Sequence, residues 1–309
     1  TLDTGGTAQA SYVGGSGGTA LTFRHTVASG AIDGNGVSLA GAIALNSGTI
    51  KDGVGNDATL TLNSIGVLSG VLVDAVAPGV ASISRAGASA GTNAASVDYT
   101  VTFSESVTGV GAGDFALSAT GTAGGAIASV SGGGASYTVT VNGVTGDGDL
   151  RLDLKGSGTG IADAAGNAIA AGFTAGQSYT FDHSAPSVTS VGVPSSATYV
   201  AGQNLDFTVN FSEAVTVVGT PTVALTLDTG GTAQASYVGG SGGTALTFRH
   251  TVASGAIDGD GVSLAGAIAL NSGTIKDGVG NDATLTLNSV GVLSGVLVDA
   301  VAPGVASIS

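Results

Sequence analysis

Apolar and polar residues alternate along short stretches of this chain. The pattern is clearest at residues 97–103, where Val97, Tyr99, Val101 and Phe103 alternate with polar side chains. Gly, Asn and Asp interrupt such runs every 8 to 12 residues, and no apolar pattern of helical period extends over 12 residues. A period of two places alternate side chains on opposite faces of a strand, and regular interruption by turn residues is typical of antiparallel β-sandwiches. The sequence therefore predicts an all-β protein.

The chain also repeats itself over a long distance. Residues 1–84, the first copy, recur as residues 226–309, the second copy. Only two positions differ, since Asn35 becomes Asp260 and Ile65 becomes Val290. A unit of 225 residues is long for one domain, so each unit is expected to hold two.

A weaker repeat inside that unit supports this division. The stretch Asp98–Glu105 (DYTVTFSE) matches Asp206–Glu213 (DFTVNFSE), and the loop Asp163–Asn167 matches Asp277–Asn281. Ala-Pro pairs, which we call the seams, mark the ends of the units at Pro78, Pro186 and Pro303. The sequence predicts tandem immunoglobulin-like sandwiches in an extended array, with domains at 1–77, 78–185 and 186–302 and the start of a further domain at 303–309.

The first predicted domain is incomplete. Residues 1–77 lack a counterpart of residues 186–225, which carry the first two strands of that domain type. The interpretation that we favour is a segment of a longer array, because stacked repeats have no natural stop. The alternative is strand exchange, in which another chain supplies the missing strands and covers the exposed edge.

Composition excludes several classes of partner. The chain has 7 Lys plus Arg against 21 Asp plus Glu, and a net charge of -14. So few basic residues offer no patch for phosphates, and neither nucleic acid nor an anionic membrane surface is expected as a partner. No stretch reaches 18 apolar residues, so membrane insertion is not expected either. The absence of Cys excludes disulfides and thiolate chemistry.

Catalysis is not expected. Residues 14–18 match the letters of a nucleophile elbow, but no helix follows them. His183 has no second His nearby that would complete a zinc site. Glu105 and Glu213 belong to different predicted domains, so they do not form a glycosidase pair.

The acidic residues are the strongest candidates for chemistry. Only Glu105 and Glu213 are Glu, each is expected to end a strand, and Asp is the residue of tight turns and hard-cation sites. An Asp precedes each seam, where its side chain can reach the first loops of the next domain. Ca²⁺ takes six to eight oxygen ligands, which adjoining loops can supply. The predicted calcium ligands are Asp74, Glu105, Asp163, Asp182, Glu213, Asp258, Asp260, Asp277 and Asp299.

The competing interpretation is that these residues form Asx turns and solvated hairpin tips. Asp147 and Asp149 share a Gly-spaced turn like that of Asp258 and Asp260, and Asp52 is the first-copy equivalent of Asp277. The spacing fits neither an EF-hand loop nor the nine-residue calcium repeat. The calcium prediction therefore depends on the co-occurrence of acidic residues at the same domain ends.

Three motifs resemble those of a known class of proteins. They are the VTFSE that ends at Glu105 followed by Gly-Asp114-Phe, the Asp163–Asn167 loop, and Asp-x-x-Ala-Pro at the seams. Over nearly the whole chain they are similar to the bacterial Ig-like repeats of very large secreted surface proteins, including biofilm-associated and RTX-type adhesins. The resemblance implies a cell-surface location, type I export, and calcium at the seams. That role would fall on Asp74, Asp182 and Asp299, with the two Glu and the Asp of the Asp-x-x-Gly-Asn loops as co-ligands.

The expected function is that of a structural or adhesive repeat segment of a bacterial extracellular surface protein. Neighbouring repeats of the same chain are its expected partners, and calcium at the seams would space or stiffen the array. Two alternatives stay open. One is a subunit of an extracellular filament or surface layer that exchanges strands with other copies of itself, and the other is a module that binds a glycan or a protein.

Overall fold

The structure, a computed structural model, describes residues 1–3, 8–229 and 231–306. Strands account for 48% of the residues and helix for 1%, which confirms the all-β prediction. In the described part of the chain, no helix is both long enough and apolar enough to span a membrane.

Residues 8–77 form four short strands: β1 (Ser11–Gly14), β2 (Thr22–Arg24), β3 (Ile32–Asp33) and β4 (Val73–Asp74). They make two separate antiparallel pairs, β1 with β2 and β3 with β4. Most of the large apolar side chains in this part are exposed or half-buried.

Residues 80–181 form seven strands and one turn of 3₁₀-helix at Ala112–Asp114. The strands are β5 (Val80–Arg85), β6 (Gly91–Thr92), β7 (Ser96–Val107), β8 (Phe115–Ala119), β9 (Gly124–Thr145), β10 (Gly148–Leu154) and β11 (Ser178–Phe181). They build one sheet in the order β5-β7-β9 and another in the order β6-β11-β10-β8. Both sheets contribute to one apolar core.

The predicted alternation in β7 is present in the structure. Val97, Tyr99, Val101 and Phe103 are all buried, while Asp98 between them is exposed. The Tyr99 hydroxyl donates a hydrogen bond to the Leu150 carbonyl oxygen, and burial raises the pKa of Tyr99 to about 12. The polar group in this core therefore has a partner, as a buried hydroxyl requires.

Residues 188–299 form ten strands: β12 (Val188–Gly192), β13 (Ala197–Tyr199), β14 (Asn204–Val218), β15 (Thr222–Leu227), β16 (Gly231–Gly239), β17 (Gly243–Thr251), β18 (Ile257–Asp258), β19 (Ser263–Ala269), β20 (Thr274–Lys276) and β21 (Val296–Asp299). One sheet has the order β12-β14-β17-β16-β15-β19, with β20 paired to β14, and a smaller one has the order β13-β21-β18. A second apolar core draws on both sheets.

The two cores are separate clusters, one drawn from residues 83–181 and the other from residues 188–300. These spans fall within the predicted domains 78–185 and 186–302. The domain boundaries themselves stay predictions.

One local prediction is wrong. Glu105 and Glu213 do not end their strands, because β7 continues to Val107 and β14 to Val218. In both strands the pairing register shifts around the Glu, between Thr102 and Val107 in β7 and between Asn210 and Val215 in β14. A β-bulge re-aims a side chain, so each Glu lies at an irregularity inside a continuous strand.

Candidate metal centres between the repeats

Three carboxylates meet at the second seam. Asp182 follows β11, Glu213 lies in β14, and Asp277 follows β20. One carboxylate oxygen from each lies within 4.8 Å of one from each of the others. Asp182 belongs to the predicted domain 78–185 and its two neighbours to 186–302, so this second seam cluster joins residues from both sides.

The same arrangement occurs at the first seam. Asp74 ends β4, Glu105 lies in β7, and Asp163 lies in the loop after β10. These three residues, the first seam cluster, also bring carboxylate oxygens within 4.8 Å of one another. Two different pairs of neighbouring segments thus assemble the same trio of residue types.

Two reciprocal hydrogen bonds hold each Glu at its seam, one to a serine hydroxyl and one between backbone groups. At the second seam the Ser187 amide donates to Ser212 Oγ at 3.0 Å, and the Ser212 amide donates to the Ser187 carbonyl at 2.8 Å. At the first seam Gly79 and Ser104 make the same two bonds, at 2.9 and 2.8 Å. Ser104 and Ser212 immediately precede Glu105 and Glu213, so these bonds hold each Glu beside its seam.

The Asx loop holds the second seam cluster from the other side. Asp277 Oδ1 accepts the amides of Val279, Gly280 and Asn281 at 2.9, 2.6 and 2.8 Å. Asn281 Nδ2 then donates to Asp277 Oδ2 at 2.7 Å and to the Asp182 carbonyl oxygen at 2.8 Å. The loop therefore makes the turn of the competing interpretation and also contacts Asp182 on the other side of the seam.

Equivalent contacts cross the first seam, and the second seam has one more. Asn167 Nδ2 donates to Asp163 Oδ2 at 2.8 Å and to the Asp74 carbonyl at 3.1 Å. At the second seam, Asn93 Nδ2 also donates to Asn281 Oδ1 at 3.0 Å. The Asn of each loop is thus a bridging residue, whereas the sequence indicated only that it closes a turn.

The two Glu side chains are electrostatically strained. Desolvation by burial, and then the charges of Asp182, Asp277 and Asp147, raise the pKa of Glu213. Desolvation followed by the charges of Asp163 and Asp74 raises the pKa of Glu105. Like charges and burial both disfavour the ionised form, so the neighbouring carboxylates in each cluster repel the ionised Glu.

The pKa of the Asp in each Asx loop is lowered instead. The hydrogen bond from the Asn167 side chain lowers the pKa of Asp163 despite its burial. Burial alone would raise the pKa of Asp277, but the Asn281 side chain and three backbone amides lower it. Asp163 and Asp277 are only 5% and 6% exposed, so the loops keep nearly buried carboxylates ionised.

No basic side chain neutralises these clusters within the described residues. The four ion pairs found there are Lys51–Asp57, Arg151–Asp153, Arg249–Asp206 and Lys276–Asp282. None of them includes a carboxylate of either seam cluster. Several negative charges therefore share each seam without a protein cation to compensate them.

A third acidic cluster lies within residues 188–299. Asp228, in the turn between β15 and β16, joins Asp258 and Asp260 with oxygens within 4.8 Å of one another. Asp258 is 3% exposed, and burial, together with the charges of Asp228 and Asp260, raises its pKa. Asp228 is not among the ligands predicted from the sequence, because only the pairing of strands brings this turn beside the Asp-Gly-Asp segment.

The first copy replaces one member of that cluster. Asn35 stands at the position of Asp260, and its Nδ2 donates to Asp3 Oδ1 at 3.0 Å. Gly34 donates to Asp3 Oδ2 at 3.0 Å, as Gly259 donates to Asp228 Oδ2 at 2.8 Å. One of the two differences between the copies thus exchanges a like-charge contact for a hydrogen bond.

The remaining acidic candidates join no such group of the described residues. Asp299 is exposed, and its Oδ1 accepts the Val301 amide at 3.3 Å. Asp52 holds its own loop through Asn56, which lowers its pKa. Asp147 accepts Ser184 Oγ and the His183 amide, both at 2.6 Å, and Asp149 accepts Thr180 Oγ1 at 2.6 Å. Only the bonds of Asp52 are those of the turn interpretation, since Asp147 and Asp149 bond instead to the distant segment 180–184.

The chemistry of the seam clusters fits a hard divalent cation. Their ligand atoms are carboxylate oxygens, with neither His nor Cys in either trio, and oxygen ligands select Ca²⁺ and Mg²⁺ over softer metals. Three carboxylates from separate elements leave room for water or carbonyl oxygens in a shell of six to eight.

Comparison with known proteins adds no assignment. A scan against protein-family models finds no match for this chain, and a search of curated proteins finds no relative. Membership of the Ig-like repeat family therefore stays a prediction from the motifs.

Proposed function

We propose that this chain is a structural segment of a bacterial extracellular surface protein, built from tandem Ig-like sandwiches whose seams are stiffened by calcium. The observation that carries the proposal is the recurrence of one uncompensated Asp-Glu-Asp trio at two consecutive seams. A turn needs no such trio, because Asp52 closes the same loop as Asp277 through bonds to Val54 and Asn56, with no second carboxylate among its partners.

Calcium would act on the joint in two ways. Without an ion, the carboxylates at each seam repel one another and favour separation of the two domains. A divalent ion replaces that repulsion with attraction to every member of the cluster. Because the members come from both sides of the seam, binding would fix the orientation of one domain relative to the next.

Calcium suits these clusters better than magnesium. Mg²⁺ requires near-ideal octahedral geometry at short distances, whereas Ca²⁺ accepts irregular sets of ligands. The ligands here come from a strand irregularity, a strand end and an Asx loop, three elements with no common symmetry. Extracellular calcium modules with few charged ligands bind in the range of about 10⁻⁴ to 10⁻³ M, so free calcium outside a cell would fill such sites.

Thermal unfolding in calcium and in excess chelator tests the proposal. At a calcium concentration of 100 times the dissociation constant, binding adds about 2.7 kcal/mol, which corresponds to roughly 10 °C for a domain of this size. Asp74→Ala with Asp182→Ala should abolish the shift. Asp282→Ala, next to the second cluster but 78% exposed, should keep it.

Identical unfolding curves with and without calcium would overturn the proposal. So would a calcium shift of full size in the double variant, because the ion would then bind elsewhere. Magnesium at the same concentration serves as the test of selectivity and should give a smaller shift.

A further inference from the structure

The longest stretch of the chain without a charged residue is residues 115–146. It contains no Asp, Glu, Lys or Arg, although the chain as a whole has a net charge of -14. It holds all of β8 and β9. The corresponding part of residues 188–299, residues 222–251, includes Asp228 and Arg249. Two acidic chains that meet through residues 115–146 therefore bring no like charges of this stretch together.

The first half of β9 is folded back on its second half. Gly132 and Gly134 have φ angles of 108° and 64°, the left-handed region that favours glycine, and they lie at the turn. A Cβ atom placed on Gly125 would lie 3.3 Å from the Asn142 carbonyl oxygen, so the two halves run side by side. Residues 124–131 are thus the first strand of a hairpin, which we call the β9 edge.

The outer side of the β9 edge pairs with no strand in the described part of the chain. β9 is the last strand of its sheet, and its partner β7 pairs with residues 134–142. β8, which precedes it in the chain, pairs with β10 instead. Within residues 188–299 the corresponding edge is filled, because β15 pairs with both β16 and β19. Residues 80–181 therefore present an open row of backbone N–H and C=O groups at this position.

The sequence of the β9 edge has neither of the residue types that usually protect an open edge. Native proteins place charged side chains, especially Lys, or Pro on such strands, but the β9 edge reads GGAIASVS. Ile127 and Val130 pack against the core of residues 83–181, and this packing holds the backbone in place. Ala126, Ala128 and Ser129 are exposed and small, so another strand can approach closely. A fixed and uncharged edge of this kind can add a further strand through backbone hydrogen bonds.

The absence of charge selects the occupant. A strand that carries Asp or Glu would find no basic side chain in residues 115–146, and one that carries Lys or Arg would find no carboxylate there. An uncharged strand with small side chains complements the β9 edge best. The β9 edge of a second copy is such a strand, and it lies where two chains of net charge -14 can meet with the least repulsion.

We propose that the β9 edge is an interface between two copies of this chain, which pair through it in antiparallel orientation. A two-fold axis makes identical segments antiparallel, and each copy then contributes the same residues. The joined sheet would have the order β5-β7-β9-β9-β7-β5. A single pair of strands buries less than the roughly 1,200 Å² of stable complexes, so we expect weak association that depends on concentration.

The pairing does not depend on calcium, and the two proposals can fail separately. In the proposed array the β9 edge would recur in every unit, and many weak contacts would act together. Only this extension to lateral association of whole arrays rests on the proposed function. The pairing of two chains is a property of residues 80–181 alone.

Sedimentation equilibrium in excess chelator tests the pairing, because no cation can then bridge the acidic surfaces. A reversible monomer–dimer equilibrium should become visible as the chain approaches about 1 mM. Added NaCl should strengthen the association, because it screens the repulsion between two chains of net charge -14. A chain that stays monomeric up to about 1 mM, or a dimer that NaCl weakens, would overturn the proposal.

Ser129→Asp tests where the two chains meet. The substitution sets like charges near each other across the two strands, and the association constant should fall roughly fivefold or more. Ser236→Asp is the matched control, because it makes the same change of charge at an exposed residue of β16 that is paired on both sides. Its association constant should equal that of the unmodified chain. Equal association of all three chains would place the contact elsewhere and contradict the proposal.

Amide hydrogen exchange identifies the interface without any substitution. In the unmodified chain, exchange within residues 124–131 should be slower at about 1 mM than at about 10 μM, because the outer N–H groups become hydrogen-bonded. Residues 231–239, in β16, are already paired on both sides and should exchange at the same rate at both concentrations. Unchanged exchange in residues 124–131 of a chain that dimerises would overturn the proposal.

Discussion

Replacing Glu213 by Gln should have opposite effects with and without calcium. Glu213 lies within 4.8 Å of carboxylate oxygens of Asp182 and Asp277, and its raised pKa reflects burial and the repulsion of those neighbours. In chelator, the substitution removes repulsion and should stabilise the protein. In calcium, it removes a charged ligand and should reduce the stabilisation by the ion.

The magnitude follows from the separation of the charges. Two unit charges no more than 4.8 Å apart repel by at least about 0.9 kcal/mol in a water-like dielectric and at least about 3.5 kcal/mol at an effective dielectric of 20. Glu213 is half-buried and has two such neighbours, so we expect a gain of about 2 kcal/mol in chelator. For a domain of this size that is a rise of roughly 6 to 10 °C.

Differential scanning calorimetry in chelator and in millimolar calcium measures both effects. A tenfold to hundredfold loss of affinity would remove about 1.4 to 2.7 kcal/mol of the calcium stabilisation. The matched control is Asp282→Asn, which makes the same change of net charge at a carboxylate that is 78% exposed. The reasoning would be refuted by destabilisation of Glu213→Gln in chelator, or by the same response in Glu213→Gln and Asp282→Asn.

Four further predictions concern the acidic clusters. The pKa of Glu213 is raised above its ordinary value of 4.5, so calcium affinity should begin to fall before the pH is lowered to 4.5, as Glu213 takes up a proton. Calcium titrations between pH 7 and 4.5 measure this, and a constant affinity would contradict it. In chelator, acidification through the raised pKa of Glu213 should stabilise the protein, and further acidification through the lowered pKa of Asp277 should destabilise it, as urea unfolding against pH would show. Asn281→Ala should cost about 2 to 3 kcal/mol in urea unfolding, because its side chain loses three hydrogen bonds. Asn56→Ala should cost less, because its side chain bonds only to Asp52 in the same exposed loop. Asp260→Asn, which copies the natural Asn35, should raise the melting temperature in chelator, and Asn35→Asp should lower it; the opposite signs would contradict the like-charge interpretation of this site.

The strand pattern could be predicted from the sequence because burial on one face imposes a period of two. Val97, Tyr99, Val101 and Phe103 fulfil that expectation in β7. The position of Glu105 could not be predicted in the same way. A β-bulge depends on the pairing of two strands, so the alternation of apolar and polar residues along one strand does not predict its position.

The candidate sites were only partly predictable for the same reason. Repetition along the chain identified Asp182, Glu213 and Asp277 as candidates, and the structure brings their carboxylates together. Asp228 was not predicted as a ligand, because it is distant in sequence from Asp258 and comes close to it only through the pairing of strands. The bridging role of Asn281 depends on how the segments on the two sides of the second seam meet, and the local sequence of its Asx loop does not show this.

The central claim is that calcium at the seams fixes the orientation of neighbouring domains. Because the chain contains no Cys, Ser118→Cys and Ser263→Cys would provide two unique attachment points for spin labels. Both serines are exposed on strands, β8 and β19, on opposite sides of the second seam. Double electron–electron resonance should give one narrow distance distribution in calcium and a broad one in chelator, and Glu213→Gln should broaden it in calcium. A distribution of the same width in all three conditions would contradict the account.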